Sequence, residues 1–222
     1  MRTTDSAVDI AVGELRSRIA KGRLVCGQRL PEPDLSVELE ISKPVLREAF
    51  ARLQADGVLE LQRFRGATVL RLSPNDVDRM LRICAAFEGL AAGEAARNVD
   101  QGDNLLMFET ASKKFLAGTA SSQSDLFDMT GDLLATIYRL ADNPYLDRLT
   151  TRVHNPLLRQ FMTQFVRYNA KDADRSKAFA RSVIDAIRKG DEGRAEIEMR
   201  NWVHGERQRI HTSIPDREMK CP

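Results

Sequence analysis

Long apolar runs are missing from this chain of 222 residues. No stretch approaches the roughly 18 consecutive apolar residues that a membrane-crossing helix needs, so no membrane partner is expected. The first residues, MRTTDSAVDIAV, carry no apolar block behind a basic start. No secretion signal is therefore expected, and a cytoplasmic location follows. Cysteine is scarce: Cys26, Cys84 and Cys221 are odd in number and far apart, which suggests neither a disulfide framework nor a zinc site. Histidine occurs only at His154, His204 and His211, and tryptophan only at Trp202. A G-x-S-x-G elbow, a phosphate-cradling glycine loop and an H-E-x-x-H helix are all absent, so no catalytic residue is proposed and an enzyme is not expected. An excess of one charge is lacking too, with 34 Lys and Arg against 32 Asp and Glu. Residues 1–72 hold 12 basic and 10 acidic residues, and the rest of the chain is balanced. An excess that small does not identify a nucleic-acid binder by itself, so the placement of the charges has to be considered.

What is present is helical spacing in the first 72 residues, followed by turn signals at the right places. Val8, Val12, Leu15 and Ile19 recur at helix period within 6–21, and Gly22 can end that helix. The stretch LVCGQRLPEP reads as a loop, and DLSVELE fits a short helix. Ser42 is placed to N-cap a third helix, with Pro44 tolerated in its first turn, and Gly57 can stop it after about Asp56. Leu46, Ala49, Phe50 and Leu53 form its apolar face, while Lys43, Val45, Arg47, Glu48 and Arg52 lie on the other. Two short strands follow, VLELQ and ATVLRL, joined by RFRG. Helix, short helix, turn, helix and a basic-tipped hairpin make the layout of a winged helix-turn-helix. An α-helix fits the DNA major groove, and an arginine fork matches guanine O6 and N7. The candidate DNA contacts are Ser42, Lys43, Val45, Arg47 and Arg52 on the helix, Arg63 and Arg65 on the wing, and Gly66, where backbone could approach DNA closely.

After Ser73-Pro74 the pattern is helical throughout, with helices expected over 74–98, 103–117, 122–141, 143–169, 171–189 and 191–211. The fold class is therefore mainly α. A DNA-binding domain over 1–72 precedes an antiparallel all-helical bundle over 73–213 and a tail over 214–222.

The segments ELRSRIAKGRL, GQRL, DLSVELEIS, LREAFARLQADGVLEL and RGATV, in that order, resemble the N-terminal domain of the GntR family of bacterial regulators. The resemblance implies a homodimer on an imperfect palindromic operator of double-stranded DNA, with contacts at Lys43, Arg47 and Gly66. Three positions depart from the family pattern. Cys26 stands where proline is usual, Glu40 where the inter-helix turn usually has glycine, and Pro33 where some members place a DNA-contacting arginine. If that turn still needs positive φ, Glu40 carries a strain of roughly 1 kcal/mol.

The segments CAAFEGLAAGEAA, IYRLADNPYL and SVIDAIRKGDEGRAEIEMRNWV resemble the FCD effector domain. That domain binds small carboxylates, often beside a metal held by one aspartate and three histidines. The four ligand positions fall here on Thr130, Leu134, Ala180 and Trp202, so no metal site and no cofactor are expected. Cys84 stands where the domain's carboxylate-gripping arginine would be, with Glu88 following. These six residues are the candidate effector pocket, and two readings are open. The pocket takes a small neutral or apolar effector against Trp202, or Trp202 fills the core of an effector-independent or nucleoid-type DNA-binding protein.

Overall fold

The computed structural model describes residues 6–62, 66–153 and 155–213. Chain contacts divide these into two compact units. The first holds the described residues up to Ser73 together with 155–161, and the second holds 74–153 and 162–213.

In the first unit, α1 (Ala7–Ala20) begins at a capping box in which Ser6 Oγ accepts from the Asp9 amide and Asp9 accepts from the Ser6 amide. There follow β1 (Arg29–Leu30), α2 (Glu32–Glu38), α3 (Lys43–Ala55), β2 (Leu59–Gln62) and β3 (Gly66–Val69). The sheet is antiparallel with order β1-β3-β2, so the expected two-stranded hairpin gains a third strand of two residues. Leu15 and Ile19 of α1 and Leu46, Ala49, Phe50 and Leu53 of α3 are buried with Val58, Leu59, Ala67 and Val69. The apolar stripe read from α3 is thus the face that makes the core. Ser42 holds the N-cap position in extended backbone, but its hydroxyl makes no capping bond. Of the two amides a capping side chain can serve, Pro44 at the second helical position has none, and that of Val45 at the third is not taken up by Ser42.

Helices α1, α2 and α3 close in one way. After α1, Gly22 donates to Ile19 O and Arg23 to Arg18 O. After α2, Glu40 donates to Val37 O and Ile41 to Ser36 O. After α3, Gly57 donates to Gln54 O and Val58 to Leu53 O. This is the Schellman pattern, and it needs a left-handed residue at each end. Gly22 (φ 71°) and Gly57 (φ 68°) supply it without a Cβ, whereas Glu40 is driven to φ 54°.

The second unit holds α4 (Pro74–Asn98), α5 (Asn104–Ala117), α6 (Gln123–Ala141), α7 (Pro144–Val153), α9 (Ala170–Arg188) and α10 (Glu192–Ser213), with the last turn of α8 (Pro156–Phe165). The helix expected over 143–169 is therefore two helices, and the six expected helices are seven. Pro156 cannot donate to a preceding turn, and Asn155 Oδ1 instead accepts from the Leu157 amide at 2.9 Å, starting a new helix. Helix α4 packs against α10, α6 and α9, and α10 against α9, around Ala91, Ala95, Phe108, Ile137, Ala180, Ile184 and Met199. Asp78 ties α4 to α10 through Arg207 and His211, and these partners hold its carboxyl well below the usual carboxylate range.

Replacing Glu40 by glycine should remove the left-handed strain and give back part of it as unfolded-chain entropy. Urea unfolding of Glu40→Gly should show a gain of about 0.5–1 kcal/mol over wild type. A loss of stability would show that Glu40 makes a compensating contact.

Candidate nucleic-acid interface and the core of the helical unit

Helix α3 buries one stripe and exposes the rest. Ser42, Lys43 and Arg47 are exposed and Val45 is half-buried. Lys43 and Arg47 are four residues apart and share one edge at the start of the helix. The Arg47 side chain is 66% exposed and its Nε donates to Glu32 Oε2 of α2 at 2.8 Å. Arg52 lies about 140° around the helix from Arg47. It is paired with Asp9 of α1 at 2.7 Å and with Glu48 at 2.8 Å, which ties α3 to the start of α1. Arg16 adds a second tie from α1 to the end of α3, reaching Asp56 at 2.6 Å, while Arg18 pairs with Glu14 on its own helix and with Glu38 of α2. Arg63 and Arg65 lie outside the described residues. Gly66 has φ 81° and is paired with Gln62 across the hairpin, and a Cβ there would sit 3.3 Å from Leu30 O. The sheet alone thus requires glycine at this point, whatever Gly66 does on DNA.

In the second unit, Leu134, Ala180 and Trp202 belong to one buried core, and Cys84 and Glu88 are buried on α4. Trp202 is 3% exposed. Its Nε1 donates to Ser176 Oγ at 3.1 Å, and its ring lies 5.7 Å from that of Phe115 at 59°. Thr130 is half-buried and turns its hydroxyl back to Leu126 O at 2.8 Å. Burial, with the charge of Glu88 beside it, pushes the Cys84 thiol far up, so it stays protonated. His204 is exposed.

The chemistry of the four positions does not make a metal site. Leu134 and Ala180 have no donor atom, the indole of Trp202 only donates and is engaged with Ser176, and one back-bonded hydroxyl is left. Among the described residues no three of His, Cys, Asp or Glu come together. The metal of the resembled domain does not fit these residues, and no chemistry is assigned to one.

Several partners were not foreseen from sequence: Glu32 for Arg47, Ser176 and Phe115 for Trp202, and Asn155 and Gln160 in the first unit. Each is a contact between distant positions, and only Asn155-Pro156 left a local trace.

A short helix, a tight turn, a second helix with a basic leading edge and a flanking three-stranded sheet define a helix-turn-helix DNA-binding regulator. The model of the bacterial regulatory proteins of the gntR family matches residues 8–69, and that of the FCD domain matches 78–205. This chain belongs to the GntR family, with an FCD domain as its helical part, a family of transcriptional regulators rather than enzymes. It is 28% identical over 173 residues to the galactonate operon transcriptional repressor of Escherichia coli K12, covering 71% of each chain. It is 30% identical over 89 residues to an HTH-type transcriptional regulator of Agrobacterium vitis, covering 40% of this chain and 52% of that one. Other curated relatives are matched over 35–56% of their length. Among solved structures, E. coli McbR/YncC shares the fold at a TM-score of 0.75 and 18% identity, over 94% of this chain and 99% of that one. A protein of Rhodococcus sp. RHA1 described as a GntR transcriptional regulator does so at 0.69 and 20%, over 95% of this chain and all of that one. No described helix is long and apolar enough to cross a membrane.

Elemental analysis of purified protein should find no stoichiometric zinc, manganese or nickel, and added divalent metal should leave the melting temperature within a degree. About one metal per chain would show that ligands lie elsewhere than at these four positions.

Proposed function

We propose that this regulator binds an imperfect palindromic operator as a homodimer and acts as a repressor. The observation that carries this is the exposed Lys43–Arg47 edge at the start of α3, set over a fully buried stripe so that the helix is rigid and its basic edge is outward. Arg47 reads a base edge, and Lys43 with the wing arginines Arg63 and Arg65 engages phosphate. One such helix reads only a few base pairs, so useful specificity takes two copies, and a two-fold symmetric dimer matches a palindrome.

Small-molecule control through the helical unit is the family expectation, and a neutral or largely apolar effector is what its residues would suit. A second reading is favoured by one observation. Trp202 is buried, its N–H is engaged and it packs on Phe115, so the indole occupies space that a ligand would need. In that reading the protein binds its operator without an effector.

Two measurements test these readings. In footprinting and gel-shift titration, two chains should protect one discrete site, and Arg47→Ala should weaken specific binding by about 1–3 kcal/mol while relaxing preference at one base pair per half-site. Unchanged affinity would misplace the reading helix, and broad coverage without discrete sites would indicate a nucleoid-type protein. Trp202 is the sole tryptophan, so its emission reports the core directly. A metabolite that shifts this emission and releases the operator would establish an effector, whereas blue, poorly quenched emission unchanged across a metabolite screen would establish the filled core.

A further inference from the structure

The first unit is not made by the N-terminal segment alone. Residues 155–161 belong to it, and Leu157 is fully buried in its core with Leu15, Ile19, Phe50 and Leu53. Gln160 is fully buried as well and uses both ends of its amide. Its Nε2 donates to Ile19 O and Leu24 O, each at 2.7 Å. Its Oε1 accepts from the Cys26 amide at 3.0 Å, 134 residues away in sequence, with Cys26 Sγ on the same oxygen. Asn155, also buried, donates from Nδ2 to Gly57 O at 3.4 Å.

These contacts fall on the helix ends that set the DNA-reading geometry. Ile19 and Leu24 lie at the turn that ends α1, and Gly57 is the left-handed residue that ends α3. The Cys26 bond has a further meaning. Proline is usual at this position in the resembled family, and proline has no amide to donate. The cysteine therefore supplies a donor that Gln160 takes up, and a turn that proline would stiffen covalently is held here by a side chain from far along the chain. Helix α8 then runs on to Phe165 through residues that belong to the second unit.

We propose that Gln160 is a positioning residue for DNA recognition: with Asn155 and Leu157 it locks the ends of α1 and α3, so that the reading edge depends on α8. This rests on the DNA-binding reading above. Removing the amide withdraws one acceptor and two donors from buried backbone, which costs more than the loss of one ordinary contact.

The test uses the full-length chain as wild type, Gln160→Leu, Gln160→Glu and Arg47→Ala. Gln160→Leu keeps most of the side-chain volume. It should retain the helical circular dichroism, exchange its Cys26 amide at least tenfold faster and bind operator about tenfold more weakly. Gln160→Glu keeps the acceptor and loses the two donors. It should restore protection at Cys26 while affinity stays reduced, a split that simple loss of packing does not produce. Should Gln160→Leu fail to fold, Gln160→Glu carries the test alone. If Arg47→Ala loses operator binding while both Gln160 variants keep wild-type affinity and Cys26 protection, the inference is overturned and the DNA-binding reading stands. If wild type binds no operator, that reading fails, and unaltered exchange at Cys26 would still overturn the proposed lock.

Discussion

The carbonyl groups at a helix end must find donors, and in a small unit whose N-terminal segment packs three short helices this requirement governs nearly everything else. Each helix has to stop and turn within a few residues, and each does so through a left-handed residue that lets two following amides fold back. That closure sets where α3 begins relative to α2 and where β1 and β2 start. Chirality makes the choice asymmetric. Glycine meets the requirement at positions 22 and 57, while position 40 meets it with a glutamate under strain. The strain persists because the buried stripe of α3 and the Ser36 hydroxyl, which donates to Ile41 O, hold the turn from either side.

Local patterns in the sequence report local requirements, and those were legible. The period of the α3 stripe, the glycines at two helix ends and the departure at Glu40 each appear in the structure as read. The break inside 143–169 carries the same Asn-Pro signal at 155–156 as the one at 143–144, but apolar residues continue at helical spacing across it and mask it. The membership of 155–161 in the first unit had no local signal at all. A buried glutamine bonded to backbone across 134 positions leaves no period, and a glutamine inside an amphipathic helix ordinarily reads as a solvated position. Strand β1 was missed for a related reason, since two residues are too few to show alternation.

The four positions where the resembled domain would hold a metal are satisfied here without one. A cluster of charged ligands needs a metal to be tolerable in a low-dielectric interior. Thr130, Leu134, Ala180 and Trp202 leave no such charge. The threonine satisfies its hydroxyl on its own helix, and the indole satisfies its N–H on Ser176 while its ring meets Phe115. Each polar atom brought in by these residues has a partner within the unit. On the effector-independent reading proposed above, that arrangement is a packed core, whereas a ligand site would keep polar atoms available for a guest.

The charge balance of the first unit has the same internal logic. All four arginines of α1 and α3 already face a carboxylate, so net charge adds little attraction. What matters is the exchange at a given pair. Arg52 meets two acidic partners and bridges two helices, so drawing it onto DNA would loosen the scaffold that presents the reading edge. Arg47 meets only Glu32 and is two-thirds exposed. An exposed pair of this kind contributes about 0–1 kcal/mol, whereas a bidentate contact to guanine discriminates by about 1–3 kcal/mol. On the reading proposed for Arg47, the exchange therefore favours DNA where the correct base is present. If Arg47 reads a base as proposed, at a wrong base it would return to Glu32, and the ion pair would sharpen selection while adding little to general affinity.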